Sequence, residues 1–277
     1  MNGRLRILTC NIRVCEADDG ENNWVHRKGL CAEVIRSRSP DIICFQEMRA
    51  EQFADLSSAF PEYGSYAMVD EPVGRHPVIC IFYRSDVFLR ISAGGYWLSK
   101  RPHVAGSRSW RSACTRLANW LRLEDRASGS EFRVINTHLD HVSQIAREHQ
   151  AQMIVEDARA YPDEYPQILT GDMNGDARNQ AVASLKAGGW VDTYGAVHGT
   201  EDPGHTYHEF LGPRYRSKLG KIDWIFVRGA IKVIEAAIVT DSRGERFPSD
   251  HYFVEATVVV EEQDDNVEPS PPRTPGG

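Results

Sequence analysis

Residues 168–174 read Ile168-Leu169-Thr170-Gly171-Asp172-Met173-Asn174. An apolar run ends in Thr-Gly, and a carboxylate and an amide follow two residues apart. Side chains at i and i+2 of a strand share a face. At the C-terminal end of a strand, Asp172 and Asn174 therefore converge on one point. A carboxylate that only accepts, beside an amide that donates and accepts, suits a water held against an electrophile. Alone, Gly-Asp-x-Asn is equally good turn chemistry. The reading depends on other strands bringing polar groups to the same mouth.

Working outward, several predicted strands do end that way. Residues 4–12 alternate and are β-branched, with Asn11 near their end. Residues 41–46 contain Ile42-Ile43-Cys44-Phe45, the near-continuous run of a strand buried on both faces, and Glu47 follows. Strands at 115–123 and 131–137 flank the turn Ala127-Ser128-Gly129-Ser130 and lead into Thr137-His138-Leu139-Asp140. Asp223 lies in a strand over 222–227, and Asp250-His251 opens one over 252–260.

Helical spacing predicts helices over Trp24–Arg38, closed by Pro40, and over 51–60, 142–160 and 180–186. The third should face inward through Val142, Ile145, Ala146, His149, Met153 and Ile154. Residues 77–83 and 87–98 read as a strand pair, 99–113 as a loop, and Ile231–Val239 as a further strand. Interleaved strands and helices, with no repeat and no internal linker, predict one α/β domain over residues 1–260, sheets inside and helices outside. Residues 261–277, acidic and holding four prolines, read as a disordered tail.

Composition narrows the chemistry. The chain has 277 residues, 41% hydrophobic and 26% charged, enough for a sizeable core. No apolar run nears the roughly 20 residues of a membrane span, and no amphipathic membrane helix stands out. The start, Met1-Asn2-Gly3-Arg4, carries no signal-peptide hydrophobic region. Six cysteines lack metal or disulfide spacing, which points to the cytoplasm. Net charge is −7, of which the last 17 residues hold −4, leaving −3 on the body. That is no polycation built for long duplex DNA. Nothing calls for an obligate protein partner.

The residue types at the strand ends are informative too. Asn, Asp and Glu supply hard oxygen ligands, which favour Mg²⁺ or Mn²⁺ over zinc. A divalent ion beside two histidines and an oriented carboxylate is what phosphoester hydrolysis requires.

Six segments together resemble the endonuclease/exonuclease/phosphatase superfamily, which includes pancreatic deoxyribonuclease, abasic-site endonucleases and inositol polyphosphate phosphatases. They are Thr9-Cys10-Asn11, Phe45-Gln46-Glu47, Asn136-Thr137-His138-Leu139, Gly171-Asp172-Met173-Asn174, Lys221-Ile222-Asp223-Trp224-Ile225 and Ser249-Asp250-His251, in the family's order. The resemblance implies a four-layer α/β sandwich, two mixed sheets face to face with helices outside. It implies that Glu47 ligates the metal with Asn11 and Asp250 close by, and that Asp172 activates water while Asn174 orients water or phosphate. His251, held by Asp223, would contact phosphate and move a proton. His138 would stabilise the transition state or protonate the leaving group.

Two positions depart from the family's pattern. Arg13 stands where some nucleases carry an acid, and the segment 74–79 lacks the Glu that elsewhere orients the first histidine. Asp140 is an alternative orienting partner for His138, or a helix cap. Arg116, Trp110, Tyr207 and His208 are candidate substrate contacts, as are His205 and the basic loop 214–221. The expected substrate is a phosphoester, foremost a short or single-stranded nucleic acid cut by in-line water attack. A small molecule or lipid headgroup is the alternative, and an inactive binding module a third. A deep pocket or an open groove around Glu47 separates the first two.

Overall fold

The computed structural model describes residues 4–68, 78–199 and 203–261. Two six-stranded sheets form its middle. The first holds β1 (Arg4–Asn11), β2 (Ile42–Met48), β3 (Tyr63–Met68), β4 (Val78–Arg84), β11 (Ile231–Val239) and β12 (Phe253–Val260), in the order β11-β12-β1-β2-β4-β3. The second holds β5 (Phe88–Trp97), β6 (Leu117–Asp125), β7 (Glu131–His138), β8 (Gln167–Asp172), β9 (Val191–Asp192) and β10 (Asp223–Arg228), in the order β5-β6-β7-β8-β10-β9.

Each sheet contains one parallel pair and is otherwise antiparallel. β1 and β2 are joined through helix α1 (Trp24–Arg38), and β7 and β8 through helix α3 (Gln144–Ala158). A parallel pair needs such a crossover, and it brings two C-terminal strand ends side by side. One pair thus ends at Asn11 and Glu47, the other at His138 and Asp172.

Alternation explains the four layers. Ile42 and Cys44 face the second sheet, packing with residues such as Leu121, Val134 and Ile168. Ile43 and Phe45 face outward, onto α1 and helix α2 (Ala50–Ala59) through Val34, Ile35 and Leu56. On the other side Ile135 and Leu169 meet Ile154 of α3 and Leu185 of helix α4 (Gln180–Ala187). The inward residues then change along each strand: Leu5-Ile7-Thr9-Asn11, Phe132-Val134-Asn136-His138, and Ile168-Thr170-Asp172. Apolar gives way to neutral polar groups and then, at the same end, to Asn11, His138 and Asp172.

The neutral polar layer is hydrogen-bonded across the sheets. Gln46 Nε2 donates to Thr9 Oγ1 at 3.0 Å and to Asn136 Oδ1 at 2.7 Å. Asn136 Nδ2 donates to Phe45 O and Cys80 O. Pairing most of these buried amide groups limits the cost of orphaned polar atoms, although Gln46 Oε1 has no partner among the described residues. They form the floor beneath the strand ends.

Two expectations need correction, and two elements went unread. The strands read at 77–83 and 87–98 do not pair, since β4 lies between β2 and β3 while β5 pairs with β6 in the other sheet. β3, a half-buried edge strand absent from the sequence reading, takes the free side of β4. Helix α3 turns a different face inward, burying Ala146, Gln150, Ala151, Ile154, Val155 and Ala158 and leaving Val142 and Ile145 exposed. Gln150 is inside because its Oε1 accepts the Asp140 backbone N–H at 2.9 Å. Helix α5 (Thr193–His198), capped by Asp192, was also not anticipated. Among the described residues, no helix is long and apolar enough to cross a membrane. The tail expected at 261–277 lies, apart from Glu261, outside the described residues.

Candidate active site

Strand geometry sets each site residue. Between Phe45 and Met48 the register of β2 against β4 shifts, and Glu47 adopts φ 61°. A bulge with one residue in a left-handed conformation re-aims a side chain. Here it turns Glu47 toward β1, where Oε1 accepts from Asn11 Nδ2 at 3.1 Å and Oε2 from Val14 N at 3.2 Å. The same Asn11 amide donates to Asp172 Oδ2 at 3.1 Å, tying the two sheets together.

At the end of β8, Gly171 has φ 146°, and a Cβ there would lie 2.1 Å from Thr137 O. Only glycine lets β7 and β8 meet this closely. Asp172 follows, its Oδ1 accepting from Asn174 N at 2.8 Å, and Asn174 Nδ2 donates to Leu139 O. Asp223 is the antiparallel partner of Asp172. His251 Nδ1 lies 2.9 Å from Asp223 Oδ2 and its Nε2 4.0 Å from Asp172 Oδ2. His138 Nε2 sits 3.3 Å from that same oxygen. Ser249 Oγ contacts both Asn11 O (2.7 Å) and Asp250 Oδ1 (3.1 Å), which fixes Asp250 beside β1.

These groups are buried and electrically crowded. Burial and the facing Asp223 push the Asp172 carboxyl up to about 7, with His251 opposing. Asp250 is raised by burial and Glu47, again against His251. For His251, burial disfavours the cation, but Asp223, Asp250 and Asp172 outweigh it and raise the imidazole to about 10. His138 goes the other way, held neutral by burial and by Arg116, His251 and His141. One histidine is a cation and the other is not.

The donor set fits a hard divalent cation. Glu47, Asp172 and Asp250 line one cleft, and burial together with neighbouring acids raises the proton affinity of the last two. A bound cation would relieve that crowding through oxygen ligands. Asp172, Asp223 and His251 also place three ligand atoms within 4.8 Å of one another. There, however, the His251–Asp223 hydrogen bond uses one ring nitrogen, and the carboxylates keep the ring protonated. A proton-handling cluster is the better description of that trio.

The model of the Endonuclease/Exonuclease/phosphatase family matches residues 8–251, from β1 to His251. The chain belongs to that family. Members of that family are phosphoester hydrolases dependent on divalent metals, and the two face-to-face sheets are the family's four-layer sandwich. An endonuclease/exonuclease/phosphatase structure from Bacteroides vulgatus is 29% identical, with TM-score 0.85, covering 93% of this chain and 99% of that one. A mannosyl-6-phosphatase from Bacteroides thetaiotaomicron is 27% identical, with TM-score 0.82, over 92% and 99%. The chain is 29% identical to Nocturnin from Drosophila melanogaster over 174 residues, which are 58% of this chain and 26% of that protein. It thus spans about a quarter of that relative's length.

On the substrate side this family member divides the expected residues. Arg116 and Tyr207 line the cleft, and Tyr207 bridges to His251 in the backbone with its ring 5.1 Å from the imidazole. Trp110 does not; its ring stacks on His149 of α3 at 4.6 Å. His208 is fully buried against Phe247 and Tyr252, with Nδ1 accepting from Gly212 N. His205 packs against Tyr215 and Tyr252. Asp140 does not orient His138. Its carboxylate accepts from Ser112 Oγ and from the N–H groups of Ala113, Val142 and Ser143, clamping two loops. Among the described residues His138 Nδ1 has no partner.

The basic loop is also otherwise engaged. Arg214 pairs with Glu245, and Lys221 is buried over Trp224 and 2.8 Å from Asp192. Two cleft residues escaped the sequence reading, His141 and Arg49. A second histidine three residues after His138 was the signal for the first. For Arg49 there was only its closeness to Glu47. Arg13 lines the cleft as well, bound to Asp19 at 3.0 Å and 3.7 Å from Asp250.

Proposed function

We propose that the protein hydrolyses a small phosphorylated molecule, releasing phosphate by in-line attack of water, as one catalytic domain over residues 1–260 in the reducing cytoplasm. The observation that carries this reading is the space around Glu47, a half-open cleft of about 560 Å³. Small-molecule sites run from about 300 to 1,000 Å³. Among the described lining residues Tyr207 is the only Phe, Tyr or Trp, so successive bases have no run of rings to stack on. Sequence alone put short nucleic acid first; the cleft moves the small molecule ahead. The likeness to a mannosyl-6-phosphatase over nearly its whole length supports the same order. Six free cysteines suit a reducing compartment.

In this reading Glu47 holds the ion, Mg²⁺ or Mn²⁺, with Asn11 and Asp250 beside it. When bound, the ion neutralises phosphoryl charge and stabilises the leaving oxygen. Asp172 takes the proton of the attacking water; its raised affinity for a proton suits a base near neutral pH. Asn174 fixes that carboxylate through its backbone N–H and borders the water. His251 donates to a phosphoryl oxygen as an imidazolium secured by Asp223. His138, held toward its neutral form by burial and by Arg116, gives phosphate a hydrogen bond.

One observation favours a second substrate class. Tyr207 presents a single ring beside His251, where the terminal base of a short single strand could stack. A panel of sugar phosphates, nucleotides, inositol phosphates and short oligonucleotides, with Mg²⁺ or Mn²⁺ and with chelator, tests the choice. Metal-dependent release of inorganic phosphate from small monoesters should dominate. Oligonucleotide cleavage without such release would install the second class.

A further inference from the structure

Three arginines line the cleft: Arg13, Arg49 and Arg116. Two are matched by acids. Arg13 bonds both carboxylate oxygens of Asp19 at 3.0 Å, and Arg49 pairs with Glu16 at 2.9 Å. Arg116 has no carboxylate partner among the described residues, yet it is only 8% exposed. Its Nη2 lies 3.2 Å from His141 Nδ1, and its Nε is buried with no partner. A guanidinium that is buried and unmatched is costly unless an anion completes it.

The pairing also settles the tautomer of His141. A guanidinium can only donate, so Nδ1 accepts and the ring proton sits on Nε2. His141, exposed at the rim, therefore presents a further donor next to Arg116. Glu47, Asp172 and Asp250 stand in the same cleft. One part of it is built to hold a cation, another to hold an anion. Arg116 is near enough to His138 to help keep that ring neutral, which puts the guanidinium next to the scissile phosphate.

We infer that Arg116, with His141, binds the third non-bridging oxygen, which a phosphomonoester has and a diester lacks, and so selects dianionic substrates. A monoester carries about −1.5 to −2 charges at neutral pH; a diester carries one, and places an esterified oxygen and a second substituent against the guanidinium. The inference rests on the hydrolase reading above and names the residues that choose monoester over diester.

The test compares p-nitrophenyl phosphate with bis-p-nitrophenyl phosphate at saturating Mn²⁺. Arg116→Met should lower kcat/KM for the monoester about 10- to 100-fold, the worth of a charge-assisted hydrogen bond. The diester should change less than about threefold, which also reports that the variant is folded. Arg116→Lys should restore part of the monoester rate, since it keeps the charge without the planar fork. His141→Gln should shift the ratio the same way, less far. Equal losses on both substrates, or none, overturn the inference.

Absence of any phosphate release by the wild type would sink the functional reading instead. Calorimetric binding of inorganic phosphate then judges the subsite by itself. Affinity weakened at least about tenfold by Arg116→Met upholds it; equal binding, or none by the wild type, overturns it.

Discussion

Strand β1 has a cleft at each end, about 23 Å apart along the strand. The one at Asn11 measures about 560 Å³, and the one at Arg4 about 820 Å³. The larger is chemically quieter. Of its carboxylates, Asp41 accepts from Arg6 N, Asp86 pairs with Arg84, and Asp125 holds the N–H groups of Ala127 and Ser128 in a turn. Asp86 is pulled below the ordinary carboxylate range by Arg84 and Asp41 is raised by burial against its hydrogen bond from Arg6, while Asp172, facing Asp223, is pushed up to about 7. Volume does not mark the reactive end. Converging charges that the chain itself leaves unmatched do.

The sharpest way to break this contrast is Asp172→Asn. Turnover should fall about 10³-fold, as for loss of a general base. Stability should move the opposite way. With its pKa raised from 3.8 to about 7, Asp172 contributes stability fully present below about pH 4 and lost as pH rises through 7. In chelator at pH 8, the asparagine variant should therefore melt above the wild type, and at pH 4 it should have no such advantage. A variant no more stable at pH 8 would end the claim that this carboxylate is electrostatically unmatched.

A smaller effect should follow Asp223→Asn. His251 stays protonated to about 10 largely because Asp223 faces it. Losing that charge should bring the alkaline limb of the kcat/KM profile down by about one to three pH units. An unmoved limb would remove His251 from the proton chemistry. The smallest effect belongs to the other end. Asp125→Ala should cost about 1 kcal/mol through the turn, or about 2–4 °C in Tm, with kcat/KM unaltered. Lost turnover there would mean the two ends are coupled.

Part of the arrangement was legible because the backbone imposes a period of two on each strand, whereas Glu47 and Asn174 reach the cleft through left-handed residues that break it. Asn11, Asp172 and Asp223 could be read as strand-end residues sharing an inward face without knowing any contact. Sheet membership was less legible. Two neighbouring apolar runs look like a hairpin, and only the docking of β3 beside β4 sent β5 to the other sheet. Helix α3 misled because its inward face is built from alanines and a glutamine, whose burial depends on hydrogen bonding to Asp140.

Trp110 and His208 looked like substrate contacts and proved to be packing, since an aromatic side chain reads the same in either role. Local sequence determined which residues end each strand and what chemistry they bring, because propensity and alternation act between neighbours in the chain. Tertiary structure alone decided which carboxyl is pushed up and which pulled down, which histidine is held neutral, and which cleft arginine lacks an acid among the described residues. Desolvation and charge pairing depend on groups delivered from separate strands and loops, as Asp223 is to Asp172 and Glu47 to Asp250.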